Sequence, residues 1–477
     1  MNAPWTLTLP SGLMAQLQGH LFPGDGDEHG AVIAAGMVET SRGTRLLARD
    51  LVLAQDGVDY VPGKRGYRML TASFVTKNIL RCASQRLVYL AIHGHGGADS
   101  VAFSPDDFAS HERGYRALLD IADGLPVGAL VFARNAVAGD IWLPGGRRVA
   151  LSEARVVGRP QQVLYSAPPV RTTHDPAYDR QARIFGDRGQ DILRNQKVGV
   201  IGAGGAGSLI IEYLSRLGVG HIQLCDPERI EPSNLPRVVG STRGDAFSFL
   251  TAEGRPRIAQ WLGQRLAQWK TSIAGRVART ANPHILFEQI REDIVNDRAA
   301  RRFIDCDFLF LAADSQRARL VFNALVHQYL IPGAQVGAKV RVNRSTGEVG
   351  EVHSVYRPVL PDSGCLWCNR LISPARLQEE AVTERERRDQ RYVEESTVHT
   401  PSVISLNAVA CAHAVDDYLF SVTGLLQLET PNDYRLFFPR SANFILDKPR
   451  KDPNCTECGH GPSGRLAMGS ARRLPTR

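Results

Sequence analysis

Near residue 90 the chain reads LAIHGHGGADSVAFSPDD, with two histidines one residue apart and then a serine and an aspartate in S-x-x-D order. His93 and His95 end an apolar, strand-like run, and alternate positions of a strand face the same side, so both rings can point to one place. Ser104 and Asp107 are spaced to open a helix. Two imidazoles and a carboxylate make a zinc set that leaves a position for water. Upstream, DEHGAVIAAG puts Glu28 just before a strand, where its carboxylate could act as general base toward that water. Two histidines bracketing a glycine also occur in polar loops, so the order of all five residues carries the reading.

A second group begins at VGVIGAGGAGSLIIEYLSRLGVGHIQLCDPE, which reads as strand, glycine turn, helix and a strand ending in acid. Gly202, Gly204 and Gly207 keep a G-x-G-x-x-G spacing, so backbone amides can approach a phosphate at the positive end of the helix. A nicotinamide enzyme would show the same turn, with Asp226 on a ribose hydroxyl. The continuation CDPERIEPSNLPRVVG argues for ATP instead, because a redox domain has no need of an Asn and an Arg there.

Of eight cysteines, four form the pairs Cys365/Cys368 and Cys455/Cys458, a four-thiolate set suited to tetrahedral zinc. C-x-x-C can also be redox-active. Cys82, Cys225, Cys306 and Cys411 sit singly in apolar or strand-like settings. In a long chain without an export signal this usage favours metal over disulfides. The formal charge of +8 is spread among acids with no basic-aromatic array, which argues against nucleic acid and leaves open a basic face for an acidic protein partner. No apolar run approaches the ~20 residues that span a bilayer, and the expected location is the cytoplasm.

The elements that must hold these groups change character near residues 160 to 180. Before that, strand-like runs (HGAVIAAGMVE, RLVYLAIHGHG, GALVFARNA) mix with helical stretches around GLMAQLQGHLF and SHERGYRALLDIA. From about Tyr178 strands alternate with helices, which argues for a largely parallel sheet covered on both faces. The expected organisation is α/β throughout: a first domain over 1–160, a Pro- and Thr-rich linker over 161–177, a Rossmann-like domain over 178–445, and a tail over 446–477 completing the zinc site. The charge run PARLQEEAVTERERRDQRYVEEST reads as an exposed helix or crossing segment, and His29, His111, His399 and His413 read as surface or helix residues.

The stretch YDRQARIFGDRGQDIL, the string from Gly202 to Arg237, FLAADSQRAR and PSVISLNAVA together resemble the ThiF/MoeB family, the adenylating domain shared with ubiquitin-activating enzymes, over about Tyr178 to Asp417. The resemblance implies ATP and magnesium, and transfer of AMP to the C-terminal carboxylate of a ubiquitin-like protein. It further implies that Asp226 and Glu228 hold the ribose, that Asn234 and Arg237 contact the phosphates, and that Asp314 helps bind magnesium. Arg180 resembles the family arginine that enters a neighbouring subunit's site, which implies a homodimer. Where the family places a lysine after a glycine, GRPRIAQ offers Arg257, a fork in place of a point charge. Between Asn369 and Ser402 there is no cysteine to form a thioester. The chain is therefore expected to stop at the acyl adenylate and pass it to a thiol or amine elsewhere, such as a conjugating-enzyme-like protein, unless Cys411 or another thiol takes over.

The first group, over about residues 10 to 150, resembles the JAMM metalloproteases, which cleave at the C-terminus of ubiquitin-like proteins. That match implies His93, His95 and Asp107 as zinc ligands, Glu28 as the base and Ser104 as oxyanion support. Eight residues, Gly96 to Phe103, separate the second histidine from the serine, one more than the family's usual gap. The two resemblances imply a fused enzyme that activates a ubiquitin-like protein with one part and processes or releases it with the other, as in a bacterial conjugation system. Alternatives are sulfur-carrier activation of the thiamine or molybdopterin type, a regulatory binding module with one or both sites inactive, and a nicotinamide oxidoreductase.

Overall fold

The computed structural model describes residues 3–477 apart from 64–65, 67, 170–171, 344–345, 382–400, 428–432 and 462. Two compact units divide it: residues 1–171 with 327–330 and 453–473, and residues 172–326 with 331–452 and 474–477. Among the described residues no helix is long and apolar enough to cross a membrane.

In the first unit the elements run β1 (Trp5–Pro10), α1 (Ser11–Leu21), β2 (Gly30–Thr40), β3 (Gly43–Leu53), α2 (Ala72–Ser84), β4 (Val88–Gly94), α3 (Pro105–Ile121), β5 (Val127–Phe132), β6 (Val137–Trp142), β7 (Arg148–Val157) and β8 (Gln162–Leu164). The sheet order is β1-β3-β2-β4-β5-β6-β7-β8, and β1 also pairs with β7, so the sheet closes on itself. Successive residues of a strand point to opposite faces, and both faces here are covered. On β2, Ala31, Ile33 and Ala35 join one core with Met14, Leu17 and Leu21 of α1. Val32 and Ala34 join a second core with Phe74 and Ile79 of α2 and Tyr115 of α3. The same alternation on β4 sends Val88, Leu90 and Ile92 to the first core and Tyr89 to the second. His93 therefore emerges on the side that carries α3.

The second unit contains α4 (Asp179–Asn195), β9 (Lys197–Ile201), α5 (Gly205–Arg216), β10 (His221–Cys225), α6 (Ser248–Thr251), α7 (Arg257–Leu266), α8 (Lys270–Ala281), β11 (Leu286–Ile290), α9 (Asp297–Arg301), β12 (Phe308–Leu311), α10 (Gln316–Tyr329), β13 (Gly333–Val342), β14 (Val349–Val359), α11 (Pro374–Ala381), α12 (Ile404–Val422), β15 (Tyr434–Phe438) and β16 (Asn443–Asp447). The sheet order is β11-β10-β9-β12-β13-β14-β15-β16. The strands from β11 to β13 are parallel, as the alternation of strands and helices predicts. Beyond β13 the sheet departs from that expectation: β14, β15 and β16 add antiparallel, and only six residues separate β13 from β14, too few for a crossover helix. Most of the charge run after α11 falls on residues 382–400, outside the described residues, as does His399.

The chain crosses from β9 to β10 on one side and reaches β12 on the other, which opens a crevice at the carboxyl ends of these strands. The turn from β9 into α5 lies there. Gly202 has φ +97°, and a Cβ on Gly207 would lie 1.9 Å from the Gly202 carbonyl oxygen. Gly207→Ala is expected to cost about 1–3 kcal/mol by overpacking, read as a lower thermal unfolding midpoint of the full chain.

Candidate functional sites

In the first unit, three side chains converge from two elements. His93 is the penultimate residue of β4, in register with Gly30 of β2 and Val131 of β5, and the His95 amide donates to the Phe132 carbonyl (2.8 Å). The two Nε2 atoms lie 3.1 Å apart. Asp107 reaches across from α3, with Oδ1 3.4 Å from His93 Nε2 and Oδ2 3.4 Å from His95 Nε2. His95 Nδ1 is 3.1 Å from the Ala102 carbonyl, an oxygen that only accepts. The ring proton therefore belongs on Nδ1 and the Nε2 lone pair faces its neighbours. Ligand atoms of all three residues lie within 4.8 Å of one another. Lone pairs and a carboxylate brought this close need positive charge between them, so the donor set fits a divalent metal of the zinc type.

The sequence SPDD explains how Asp107 is aimed. Ser104 is the N-cap of α3 and Pro105 occupies its first turn. Asp107 Oδ2 accepts from the Ser104 amide and hydroxyl (both 2.8 Å), while the Asp107 amide donates to Ser104 Oγ (3.2 Å). Burial works to raise the Asp107 pKa, yet the hydrogen bond and charge of His93 and the bonds from Ser104 hold it well below the usual carboxylate range. The Ser104 hydroxyl proton is spent on this cap, so an oxyanion role requires it to turn toward substrate.

Glu28 sits on the loop before β2, its amide bonded to the Gly66 carbonyl (2.8 Å) and its Oε1 3.9 Å from His95 Nε2. Burial raises its pKa, against the opposing charges of His93 and His95. That favours a carboxylate able to take up a proton. A cavity of about 890 Å³ adjoins His95, with Phe103, Phe108, Asp140 and Arg148 among its lining residues.

His29, read from the sequence as a surface or helix residue, is instead buried in the loop before β2, while His111 is a helix residue as read, buried on α3. His29 Nε2 meets Asp25 at 2.9 Å and His111 Nδ1 meets Asp140 at 2.8 Å. Each is brought inside by an acid that satisfies its ring nitrogen. His111 had a signal in the sequence, its helical i+4 spacing from Asp107; Asp140 had none.

In the second unit Asp226 directly follows β10, beside the glycine turn. Its Oδ2 accepts from the Ala203 amide (2.7 Å) and its Oδ1 from the Glu228 amide (2.8 Å). Burial raises its pKa against these bonds and the charge of Lys270. Glu228 pairs with Lys270. Asn234 accepts from the Glu231 amide (3.2 Å), and Arg237 Nη1 donates to the Ser233 carbonyl (3.2 Å). Arg237 lies against the start of α5, its Cδ 3.3 Å from where a Cβ on Gly205 would stand. Asp314 is exposed between β12 and α10; Arg257 and Arg180 are exposed in the first turns of α7 and α4.

Sequence reasoning missed two residues here. Asn407 of α12 puts Nδ2 2.6 Å from the same Gly205 Cβ position and donates to Ser402 Oγ (3.2 Å). A lone amide within an apolar helix was the available signal. Glu380 of α11 accepts from the Gln316 and Arg317 amides (2.8 and 2.9 Å), capping α10 just after Asp314.

Cys411 faces the other way from chemistry. It is fully buried, its thiol donates to the Ala206 carbonyl (3.3 Å), and burial pushes its pKa up to about 12. Cys365, Cys368, Cys455 and Cys458 form a four-cysteine cluster, with sulfurs within 4.8 Å of one another. The Cys365 and Cys368 sulfurs are 3.6 Å apart, too far for the ~2.05 Å of a disulfide. Amides of Cys368 and Glu457 point at Cys365 and Cys455 sulfur (both 3.4 Å), as they would to support thiolates.

Among known proteins, the chain is 47% identical over 62 residues to the adenylyltransferase and sulfurtransferase UBA4 of Yarrowia lipolytica, covering 13% of this chain and 16% of the relative. It is 28% identical over 191 residues to the sulfur carrier protein adenylyltransferase of Thermus thermophilus, covering 39% and 63%. The chain thus spans less than two thirds of the length of these relatives. A crystal structure of E. coli MccB with ATP aligns with 20% identity over 60% of this chain and 75% of the other, at a TM-score of 0.44. Residues 178–458, more than half of the sequence, match the ThiF family, and the chain belongs to it.

Proposed function

We propose that the ThiF portion uses ATP and magnesium to adenylate the C-terminal carboxylate of a ubiquitin-like protein, and that the first unit is a JAMM-type zinc protease acting on the C-terminus of the same protein. The family match over residues 178–458 carries the first half. A carboxylate attacking an α-phosphate brings negative charge onto negative charge, so the site must supply cations and amide donors where charge accumulates. Gly202, Gly204 and Gly207 supply the open backbone, Asp226 and Glu228 the ribose acceptors, Asn234, Arg237 and Arg257 the phosphate contacts, and Asp314 a magnesium ligand. Arg180, exposed on α4, is available to a second subunit, and the functional form is a homodimer. The product passes to an external acceptor such as a conjugating-enzyme-like protein, in the cytoplasm.

Convergence of His93, His95 and Asp107 supports the second half. Zinc held there would polarise a scissile carbonyl and acidify a water. Glu28, 3.9 Å from His95, is placed to accept the water's proton and return it to the leaving amine, and Ser104 is at hand for the oxyanion. The four cysteines hold a second, structural zinc.

A second reading keeps the adenylation and changes the partner. The relatives' names, a sulfur carrier protein adenylyltransferase among them, favour a sulfur carrier as the protein activated.

Three measurements test these assignments. Given ATP and a candidate ubiquitin-like or sulfur-carrier protein, the wild type should exchange pyrophosphate into ATP, and Asp314→Ala should reduce the exchange at least ~100-fold; no exchange with any such protein removes the first half. With a tagged C-terminal extension, Glu28→Gln should lower cleavage by roughly 10²–10⁴-fold at unchanged zinc content. By elemental analysis the wild type should carry about two zinc ions per chain, and His93→Ala and Cys365→Ser should each retain about one.

A further inference from the structure

Asp140 on β6 takes no part in the proposed chemistry, yet four donors converge on its carboxylate. Oδ2 accepts from His111 Nδ1 (2.8 Å), Arg148 Nη2 (2.7 Å) and Trp142 Nε1 (3.1 Å), and Oδ1 accepts from Arg148 Nε (2.9 Å). Asp140 and His111 are 6% and 5% exposed, so these bonds form largely out of water. His111 lies one helical turn beyond Asp107 on the same face of α3. Its ring packs against Phe103 and Tyr115, with centroids 5.0 and 4.8 Å away. Arg148 is held from its other end by Glu112 of α3 (2.7 Å). One carboxylate thus fastens the helix to two strands.

The capping box fixes Asp107 within its own helix but says nothing about where that helix sits relative to β4, which carries His93 near its end. The link from Asp140 supplies that reference. In the ladder Asp140 pairs with Ala129 of β5, and Val131 of β5 pairs with His93. A rigid path therefore runs from His93 through β5 and β6 to Asp140, and through His111 back to the turn of α3 that bears Asp107. The cavity of about 890 Å³ has His95, Phe103, Phe108 and Asp140 among its lining residues, so this side of the helix start borders open space and a directional bond adds to what the ring packing supplies.

We propose that Asp140, acting through His111, is a positioning residue that holds Asp107 at ligand distance from His93 and His95. This rests on the reading of those three residues as a metal site. The test is cobalt(II) retention by the full chain against increasing chelator, with imidazole–carboxylate and thiolate sites distinguished by their absorption. His111→Phe keeps the ring packing and removes the bond, and Asp140→Asn leaves an amide facing donors. Each is expected to weaken cobalt binding at the histidine site about tenfold or more while the thiolate bands stay as in wild type. Because both act through one bond, the double variant should lose no more than the weaker single. His111→Gln, which restores a donor, should recover most of the affinity and also serves if the phenylalanine variant does not fold. Wild-type affinity in folded His111→Phe and Asp140→Asn, additive losses, or no recovery in folded His111→Gln would overturn the proposal and leave the metal site standing. A wild type that takes up no cobalt at His93 and His95 would overturn both.

Discussion

A buried carboxylate is tolerable only when its oxygens accept hydrogen bonds, and in both units that requirement shapes the turn on which the chemistry depends. Asp107 accepts from the amide and hydroxyl of Ser104, and so fixes the first turn of α3. Asp226 accepts from the amides of Ala203 and Glu228, and so fixes the glycine turn before α5 together with the loop after β10. In each case a backbone segment that would otherwise be mobile is tied to a side chain rooted in regular structure. The difference lies in what the remaining lone pairs face. Those of Asp107 face two imidazole nitrogens that can join it around a cation, whereas Asp226 lies beside amides and the charge of Lys270.

That difference fits the two chemistries proposed. A metal held by His93, His95 and Asp107 needs a ligand that stays ionised, and the two bonds that Ser104 donates favour the charged form of Asp107. A ribose contact makes no such demand: an acceptor oxygen serves whether or not the group titrates readily, so the raised pKa that burial gives Asp226 does not count against that role. Glu28 stands apart from both, since a base must take up and release a proton, and its partial burial moves its pKa in the useful direction.

Much of this was legible because it is local. The glycine turn is a demand on backbone conformation at Gly202 and on close approach at Gly207, and only glycine meets it. The SPDD cap is written in consecutive residues, and the alternation in RLVYLAIHG reports two covered faces. The cysteine pairs carry their own spacing. What was hidden depends on partners distant in sequence. Closure of the first sheet pairs β1 with β7, residues 5–10 with residues 151–157, which no local pattern encodes. His111 read as a surface or helix residue, and its burial on α3 was hidden because the acid that buries it, Asp140, is 29 positions away. Asn407 reads as one polar residue in an apolar helix until α12 is laid against the start of α5.

On the proposed reading, the fate of an acyl adenylate follows from where the sulfur of this chain is. The chain has eight cysteines, and four of them form the four-cysteine cluster. The other four, Cys82, Cys225, Cys306 and Cys411, are all buried, and burial holds the thiols of Cys82 and Cys411 near 11 and 12. Thiolate is the nucleophile in thioester formation, so at neutral pH Cys82, Cys225 and Cys411 are unionised, and all four are shielded. Cys411 packs against α5, and its proton is directed at the Ala206 carbonyl. An enzyme that adenylates a carboxylate without an available thiol of its own must either shield the mixed anhydride from water or present it quickly to another molecule. On the proposed reading, the acceptor that completes the reaction is therefore a thiol or amine of a separate protein, and the specificity of the whole process is shared between this chain and that partner.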